Sequence, residues 1–262
     1  MIGVFDSGVG GLTVVKEIYN ILPNYQIIYF GDTARLPYGT KGADFVKKYS
    51  LKITNWLLKK EAKIIVIACH TSSALAGDYL KKQLKNVPIF DMITPTVKEI
   101  SKIKFKKIGI IGTPGTIESN SWQSHLLKIE PNLKIYSKAC PLFVPLVEEG
   151  WMNKSPTKEI AKDYLKNLKQ KNIEGLVLAC THYPILKKTI KEALGKKVEI
   201  IDPAKILAKE LAIFLKDNKQ INSSLKKGNL NQFFFSDKPY HFKKISHFCL
   251  NQKIKPVIKD PF

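Results

Sequence analysis

Short runs of β-branched and other apolar residues alternate along this chain with longer amphipathic stretches, and this alternation limits its fold more than any other feature. It is typical of α/β proteins, in which helices join mostly parallel strands. Leu12, Val15, Ile18 or Tyr19, and Leu22 repeat at the spacing of one helical face, and Pro23 ends that pattern. We predict buried strands at 2–5, 27–30, 64–68, 108–111, 176–179 and 198–201.

Two pairs of similar segments suggest that one α/β unit occurs twice. Residues 2–8 resemble residues 108–114, and residues 65–69 resemble residues 176–180, at nearly equal offsets. Chance similarity between buried strands is the alternative, but two matches in the same order favour two pseudo-symmetric halves.

The chain after Pro203 has no counterpart in this repeat. Its patterns predict a helix at 207–215, a strand at 233–235 and a last helix at 242–250. The repeat does not say which half this part of the chain joins.

The charge of the chain raises the question of nucleic-acid binding. The formal net charge is +21, but Arg35 is the sole arginine, and lysines distributed along the whole chain supply the other basic groups. Proteins that read base sequence rely on the bidentate arginine fork, which lysine lacks. We therefore interpret the lysines as a solvated surface and expect no specific nucleic-acid partner. A polyanion-binding site is the alternative.

The composition, with 44% hydrophobic residues, is that of an ordinary globular protein. No apolar run approaches the roughly 18–20 residues of a membrane span. Residues 1–5 lack the features of a signal peptide. Four cysteines are too few for a disulfide scaffold and are expected to be free thiols. We expect a cytoplasmic protein with no membrane partner.

Cys69 and Cys180 each follow a predicted strand directly. Ligands of open parallel sheets bind at the carboxyl ends of the strands, so two facing halves would direct both thiols into one cleft. A single buried cysteine is more often an inert apolar residue, but the matched pair favours function. A zinc site formed with His70 and His182 is disfavoured, because Cys69 and His70 are adjacent and would point to opposite faces of an extended chain.

The segment 6–13 is rich in glycine and lies between a strand and a helix. Free N–H groups at a helix start favour anions, so a substrate carboxylate could bind there. The segment matches neither the Gly-x-Gly-x-x-Gly pattern nor the Gly-Lys-Ser/Thr pattern of nucleotide-binding loops. A tight turn capped by Asp6 or Ser7 is the alternative.

Four motifs occur in order along the chain. They are Asp-Ser-Gly-x-Gly-Gly-Leu-Thr at 6–13, Tyr-Phe-Gly-Asp-Thr-Ala-Arg-x-Pro-Tyr-Gly at 29–39, Cys-Pro-Leu-Phe-Val-Pro-Leu-Val-Glu-Glu-Gly at 140–150, and Cys-Thr-His-Tyr-Pro at 180–184. Together they resemble the motifs of the bacterial glutamate racemase family, and the resemblance covers roughly residues 1–205.

The resemblance implies an α/β fold of two pseudo-symmetric domains with mostly parallel central sheets and an active site in the cleft between them. The later part of the chain would return to the first domain. We expect this domain to comprise residues 1–92 plus about 206–262, and the second to comprise residues 93–205. The implied activity is the interconversion of L- and D-glutamate without a cofactor or metal, which supplies D-glutamate for peptidoglycan. A homodimer is the assembly expected from the family.

The resemblance also implies residue roles. Cys69 would take the proton of D-glutamate, assisted by Asp6, and Cys180 that of L-glutamate, assisted by His182. Thiols suit this work because a free thiol has a pKa near 8.5, close to the working pH. The implied substrate-binding residues are Asp6, Ser7, Pro37, Tyr38, Gly39, His70, Thr71, Thr181 and His182, with Glu148 near the second thiol.

His70 departs from the family pattern, which has asparagine at this position. We expect His70 to replace that asparagine as a donor to the substrate, and a protonated His70 would favour the Cys69 thiolate. A packed bystander is the alternative reading of His70. The departure also leaves open an aspartate or broad-specificity racemase, and a non-catalytic amino-acid-binding protein is a further alternative.

Overall fold

The computed structural model describes residues 1–239, 242–250 and 254–262, which form two parallel sheets flanked by helices. The strands are β1 (Ile2–Asp6), β2 (Ile27–Gly31), β3 (Ile64–Ile67), β4 (Ile89–Asp91), β5 (Lys107–Gly112), β6 (Lys134–Ala139), β7 (Gly175–Ala179), β8 (Glu199–Ile201), β9 (Gln232–Phe235) and β10 (Val257–Ile258).

The α-helices connect these strands. They are α1 (Leu12–Ile21), α2 (Ala43–Lys59), α3 (His70–Gln83), α4 (Thr94–Ile103), α5 (Pro114–Glu118), α6 (Ser121–Ile129), α7 (Phe143–Glu148), α8 (Ser155–Gln170), α9 (Lys187–Leu194), α10 (Pro203–Asp217), α11 (Lys219–Ser224) and α12 (Phe242–Leu250). Short 3₁₀ turns cover Thr33–Arg35, Tyr38–Thr40 and Tyr183–Leu186.

The strand order confirms the predicted pseudo-symmetric α/β fold. The first sheet has the order β10-β9-β2-β1-β3-β4, and the second has the order β6-β5-β7-β8. The run β2-β1-β3-β4 therefore has the same topology as the whole second sheet. The central strands β1 and β5 correspond to each other, and so do β3 and β7, which precede the two cysteines. The β1 and β7 residues are buried along their whole length, as expected for strands covered by helices on both faces.

Each half contributes one helix to the hydrophobic core of the other half. Helix α4 follows β4 of the first sheet, yet its Val97 and Ile100 pack with Ile108 and Trp122 of the second half. Helix α10 follows β8 of the second sheet and packs against the first sheet through residues such as Leu207. Each of the two cores therefore includes a helix that follows a strand of the other sheet.

The division into domains remains our proposal: residues 1–92 plus about 206–262, and residues 93–205. The membership of α4 and α10 in opposite cores supports it. Residues 240, 241 and 251–253 of the first domain lie outside the described residues. In the described part of the chain, no helix is long and apolar enough to cross a membrane.

Candidate active site

The two strand-end thiols line one small cleft between the sheets. Its volume is about 40 Å³. The lining residues are Asp6, Ser7, Pro37, Tyr38, Gly39, Cys69, His70, Thr71, Thr113, Val144, Ala179, Cys180, Thr181 and His182. Every predicted site residue except Glu148 lies on this lining, and Glu148 contacts it through His182.

Cys69 caps the first turn of α3. Its sulfur accepts a hydrogen bond from the Ser72 backbone N–H at 3.4 Å and lies 3.8 Å from Ser7 Oγ. Burial, together with the negative charge of nearby Asp6, raises the pKa of the Cys69 thiol to about 11. Cys69 therefore rests as a thiol at neutral pH, and a group in the cleft must favour its ionisation before it can act as a base.

Asp6 ends β1 and holds the glycine-rich turn that follows it. Its Oδ2 accepts hydrogen bonds from the backbone N–H groups of Gly8 at 3.1 Å and Gly11 at 3.0 Å. Its Oδ1 is buried and has no protein partner among the described residues. Burial raises the pKa of Asp6, against the lowering effect of His182 and the backbone donors. One oxygen is thus structural, and the other is available to accept a proton or to bind an ammonium group.

Cys180 has a different neighbour. His182 Nδ1 lies 4.0 Å from Cys180 Sγ, and His182 Nε2 lies 3.1 Å from Glu148 Oε1. Burial works against protonation of the ring, but the hydrogen bonds with Cys180 and Glu148 outweigh it and raise the pKa of His182 to about 10. A protonated His182, held by Glu148, therefore lies beside the second thiol.

The loop around Pro37 brings backbone, not a free phenol, to the cleft. Tyr38 is buried, and its hydroxyl donates its one proton to Asp32 Oδ2 at 2.6 Å. Gly39 lies against the second half, since a Cβ built on it would come within 2.6 Å of Thr113 Cβ. This loop therefore offers a substrate mainly its main-chain groups.

Three threonine hydroxyls meet across the cleft. Thr71 Oγ1 lies 2.9 Å from Thr113 Oγ1 and 3.1 Å from Thr116 Oγ1, and the last two are 2.9 Å apart. Thr113 was not predicted from the sequence. The repeat carried the necessary signal, because Thr113 is the counterpart of Ser7 in the matched segments 2–8 and 108–114.

His70 lines the cleft but is held in the protein interior. Its ring stacks on Trp122 with centroids 6.1 Å apart, and its Nδ1 is buried with no partner among the described residues. Burial lowers the pKa of His70 to about 3, although Asp91 opposes this shift. Burial therefore favours the neutral His70 ring, which would donate to a substrate through a single nitrogen, over the protonated ring that would favour the Cys69 thiolate.

A second contact between the halves lies beside Cys180. Thr13 Oγ1 is 2.9 Å from the carbonyl oxygens of both Gly10 and Thr181. Because Thr13 belongs to α1 and Thr181 follows β7, this hydroxyl connects the glycine-rich turn to the second thiol segment.

The structure contains a larger cavity of about 350 Å³. It lies where α1, α10 and α12 meet, and its lining includes Lys16, Asp202 and Cys249 but neither Cys69 nor Cys180. The smaller cleft is therefore the candidate active site, because it combines both strand-end thiols with perturbed acid–base groups. Within the described part of the chain, no group of three or more His, Cys, Asp or Glu residues could hold a metal ion.

Comparison with known proteins agrees with this geometry. Residues 2–211 match the family model described as Asp/Glu/Hydantoin racemase. The glutamate racemase of Aquifex pyrophilus is 48% identical over 90% of this chain and 88% of its own length. The glutamate racemase of Geobacter metallireducens is 40% identical over 98% of this chain and 94% of its own length. The crystal structure of glutamate racemase from Francisella tularensis in complex with D-glutamate superposes with a TM-score of 0.91 at 40% identity, covering 99% of this chain and 96% of that one.

Proposed function

This chain belongs to the Asp/Glu/Hydantoin racemase family, and we propose that it interconverts L- and D-glutamate through the opposed thiols Cys69 and Cys180. It is an isomerase, an amino-acid racemase. The observation that carries the proposal is that the two cysteines end the equivalent strands β3 and β7 and line the same cleft. The relatives named glutamate racemase, one with D-glutamate bound, support glutamate as the substrate.

The chemistry needs one group on each face of the substrate Cα. With D-glutamate bound, the Cys69 thiolate removes the Cα proton and becomes a thiol. The electron pair left on carbon then takes a proton from the Cys180 thiol on the opposite face, which gives L-glutamate and a Cys180 thiolate. The reverse reaction exchanges the two roles, so no proton or electron has to come from a cofactor.

The surroundings of the two thiols support different assisting groups. His182, held by Glu148, stabilises a negative charge on Cys180. Asp6, with its free Oδ1, accepts the proton that Cys69 must lose or orients the substrate ammonium. These roles rest on the residue matches to the family and on the geometry described above.

Hydroxyl and backbone donors around the cleft would hold the substrate carboxylates and the charge that develops on them. We assign this role to Ser7, Thr71, Thr181 and the main chain of residues 37–39. His70, being neutral, would contribute a single ring donor in place of the family's asparagine.

We further propose that the enzyme acts in the cytoplasm, supplies D-glutamate for peptidoglycan and forms a homodimer. We expect it to bind no nucleic acid specifically. The sole arginine supports this last point, because Arg35 is engaged with Asp32 and Asp260 and is not free to read bases.

The test is turnover of L- and D-glutamate, followed by circular dichroism, in wild type, Cys69→Ala and Cys180→Ala. Each variant should lose at least about a thousandfold in rate in both directions, since each direction needs both thiols. Cys249→Ala is the matched control, because this buried cysteine lies outside the cleft. Near-wild-type racemisation by either variant would exclude the two-thiol mechanism. A preference for L- and D-aspartate would exclude glutamate as the main substrate.

A further inference from the structure

We propose that Asp32 is a positioning residue for the Pro37–Tyr38–Gly39 loop, and that residues 260–262 fix this loop through Arg35. The inference rests on the proposed racemase function, because it assigns to these groups the placement of the main chain that faces the substrate.

Asp32 is fully buried, and three side chains donate hydrogen bonds to its carboxylate. Its Oδ2 accepts a hydrogen bond from Tyr38 Oη at 2.6 Å. Its Oδ1 accepts from Arg35 Nη1 at 2.6 Å and from Ser236 Oγ at 2.8 Å. A buried carboxylate retains its place only when such donors compensate for lost hydration. Asp32 therefore joins the cleft loop to a segment about 200 residues later, the turn after β9.

Arg35 extends this connection to the last described residues. Its Nη2 donates to Asp260 Oδ2 at 2.7 Å and lies 3.5 Å from the Phe262 carbonyl oxygen. Its guanidinium carbon lies 4.6 Å from the centre of the Tyr49 ring and 5.5 Å from that of Phe262. A planar fork that bridges two carboxylates between aromatic rings has a fixed orientation, which a lysine cannot reproduce.

The loop held in this way contacts the second half directly. Besides the close approach of Gly39 to Thr113, a Cβ on Gly115 would lie 3.0 Å from the Gly39 carbonyl oxygen. A small movement of Tyr38 would therefore change the shape of the cleft where its two halves meet. Neither Asp32 nor Arg35 lines the cleft, so both act on substrate binding through Tyr38.

The first test is Asp260→Asn, which removes one charge at a partly exposed position and spares the buried Asp32. The KM for glutamate should rise about fivefold, because a charge-assisted hydrogen bond that orders the loop is weakened. The pH dependence of kcat should be unchanged, since no thiol is touched. Hydrogen–deuterium exchange of residues 36–40 should become faster. Glu210→Gln, which removes the surface ion pair with Lys98, is the matched control and should change none of these.

The second test separates positioning from general destabilisation. Tyr38→Phe removes the hydroxyl that connects the loop to Asp32, so Asp260→Asn should raise KM little further in the Tyr38→Phe background. Arg35→Lys should raise KM about tenfold, by losing the fork that bridges both carboxylates. The proposal would be overturned if Asp260→Asn and Arg35→Lys both kept the wild-type KM and the wild-type rate of hydrogen–deuterium exchange. It would also be overturned if Asp260→Asn raised KM by the same factor in the Tyr38→Phe background as in wild type. If wild type does not racemise glutamate, the proposed function fails, and the exchange of residues 36–40 still decides the positioning role.

Discussion

His182 Nε2 lies 3.1 Å from Glu148 Oε1. The other ring nitrogen faces Cys180 Sγ, so a carboxylate and a thiol lie at opposite ends of one imidazole. Cys69, at the equivalent strand end, has instead a carboxylate, Asp6, and a hydroxyl, Ser7, as neighbours. Two thiols in pseudo-symmetric positions therefore have different ionisable neighbours, the His182 imidazole beside Cys180 and the Asp6 carboxylate beside Cys69.

Glu148→Gln should move the basic limb of the pH–rate profile to lower pH. In wild type the raised pKa of His182, about 10, keeps the imidazolium through neutral pH, and the charge is lost as the pH rises through that value. Replacing the carboxylate with an amide removes one of the groups that raise this pKa, so deprotonation occurs at lower pH. Rates in both directions, measured from pH 6 to pH 10, test this. Glu159→Gln, at an exposed carboxylate on α8, is the control. An unmoved basic limb would exclude Glu148 from tuning His182.

Asp6→Asn should make Cys69 more reactive toward iodoacetamide. The thiolate is the nucleophile, and burial together with the charge of Asp6 raises the pKa of Cys69 to about 11. Wild-type alkylation of Cys69 should therefore be slow at pH 8 and accelerate as the pH approaches 11. Without the Asp6 charge the pKa falls, and alkylation at pH 8 should be several-fold faster.

The rate is read from mass spectrometry of the Cys69 peptide. Asp44→Asn, at an exposed carboxylate in the first turn of α2, should leave it unchanged. If iodoacetamide alkylates Cys69 no faster in Asp6→Asn than in wild type, the charge of Asp6 does not control the reactivity of this thiol.

The sequence predicted those parts of the fold that are buried on both faces. The six predicted buried strands and the later strand predicted at 233–235 all occur within about one residue of their expected bounds. Strands such as β1 and β7 were recognisable because they are short apolar runs. The strands β4, β6 and β10 were not predicted. β6 is a half-exposed edge strand with lysines at 134 and 138, and the others have only three and two residues. Neither alternation nor length marks such edge strands in a single sequence.

The candidate site likewise has features that the sequence predicted and features that it did not. The strand ends and the repeat predicted Cys69 and Cys180, and the resemblance to the family implied most other residues of the cleft, but not Thr113. Sequence could not give the direction of side chains. The Tyr38 hydroxyl donates to Asp32, and the His70 ring is buried beside Trp122. Both outcomes depend on burial by residues more than 50 positions away or on loop geometry, which no local pattern encodes.

His70→Asn should change the acid stability of the protein. The unfolded state binds a proton on histidine below about pH 6.5, while burial keeps the folded His70 neutral down to about pH 3. Because the unfolded state then holds more protons, wild type loses free energy of unfolding as the pH falls from 6.5 to 3. The variant lacks this contribution, so its melting temperature should fall less between pH 7 and pH 5. His247→Asn, at an exposed histidine, is the control.

Kinetics of the same variant test its place in the cleft. If the ring contacts the substrate, the KM for glutamate or the preference for glutamate over aspartate should change. The acid limb of the pH–rate profile should stay the same, because a neutral ring has no proton to lose there. A wild-type KM and substrate preference would leave His70 a packed bystander.

Gly10→Ala should abolish most of the activity while the fold is retained. A Cβ on Gly10 would lie 2.4 Å from Thr181 Oγ1 and 2.5 Å from His182 Cε1, which is too close for either contact to persist. The methyl group must therefore displace the His182 ring or separate the two halves at Cys180. A displacement of about 1 Å in a catalytic group can cost about a hundredfold in rate, and we expect at least that loss in kcat.

The control is Gly42→Ala, because a Cβ on Gly42 meets nothing within 4 Å. Melting temperature and kcat, measured for both variants, give the comparison. Gly42→Ala should keep wild-type kcat, and Gly10→Ala should keep the far-ultraviolet circular dichroism of wild type. If Gly10→Ala kept the wild-type kcat, the close approach of the turn from Gly8 to Gly11 to His182 would not be needed for catalysis. That result would remove the structural basis for placing the His182 imidazole beside Cys180 during the reaction.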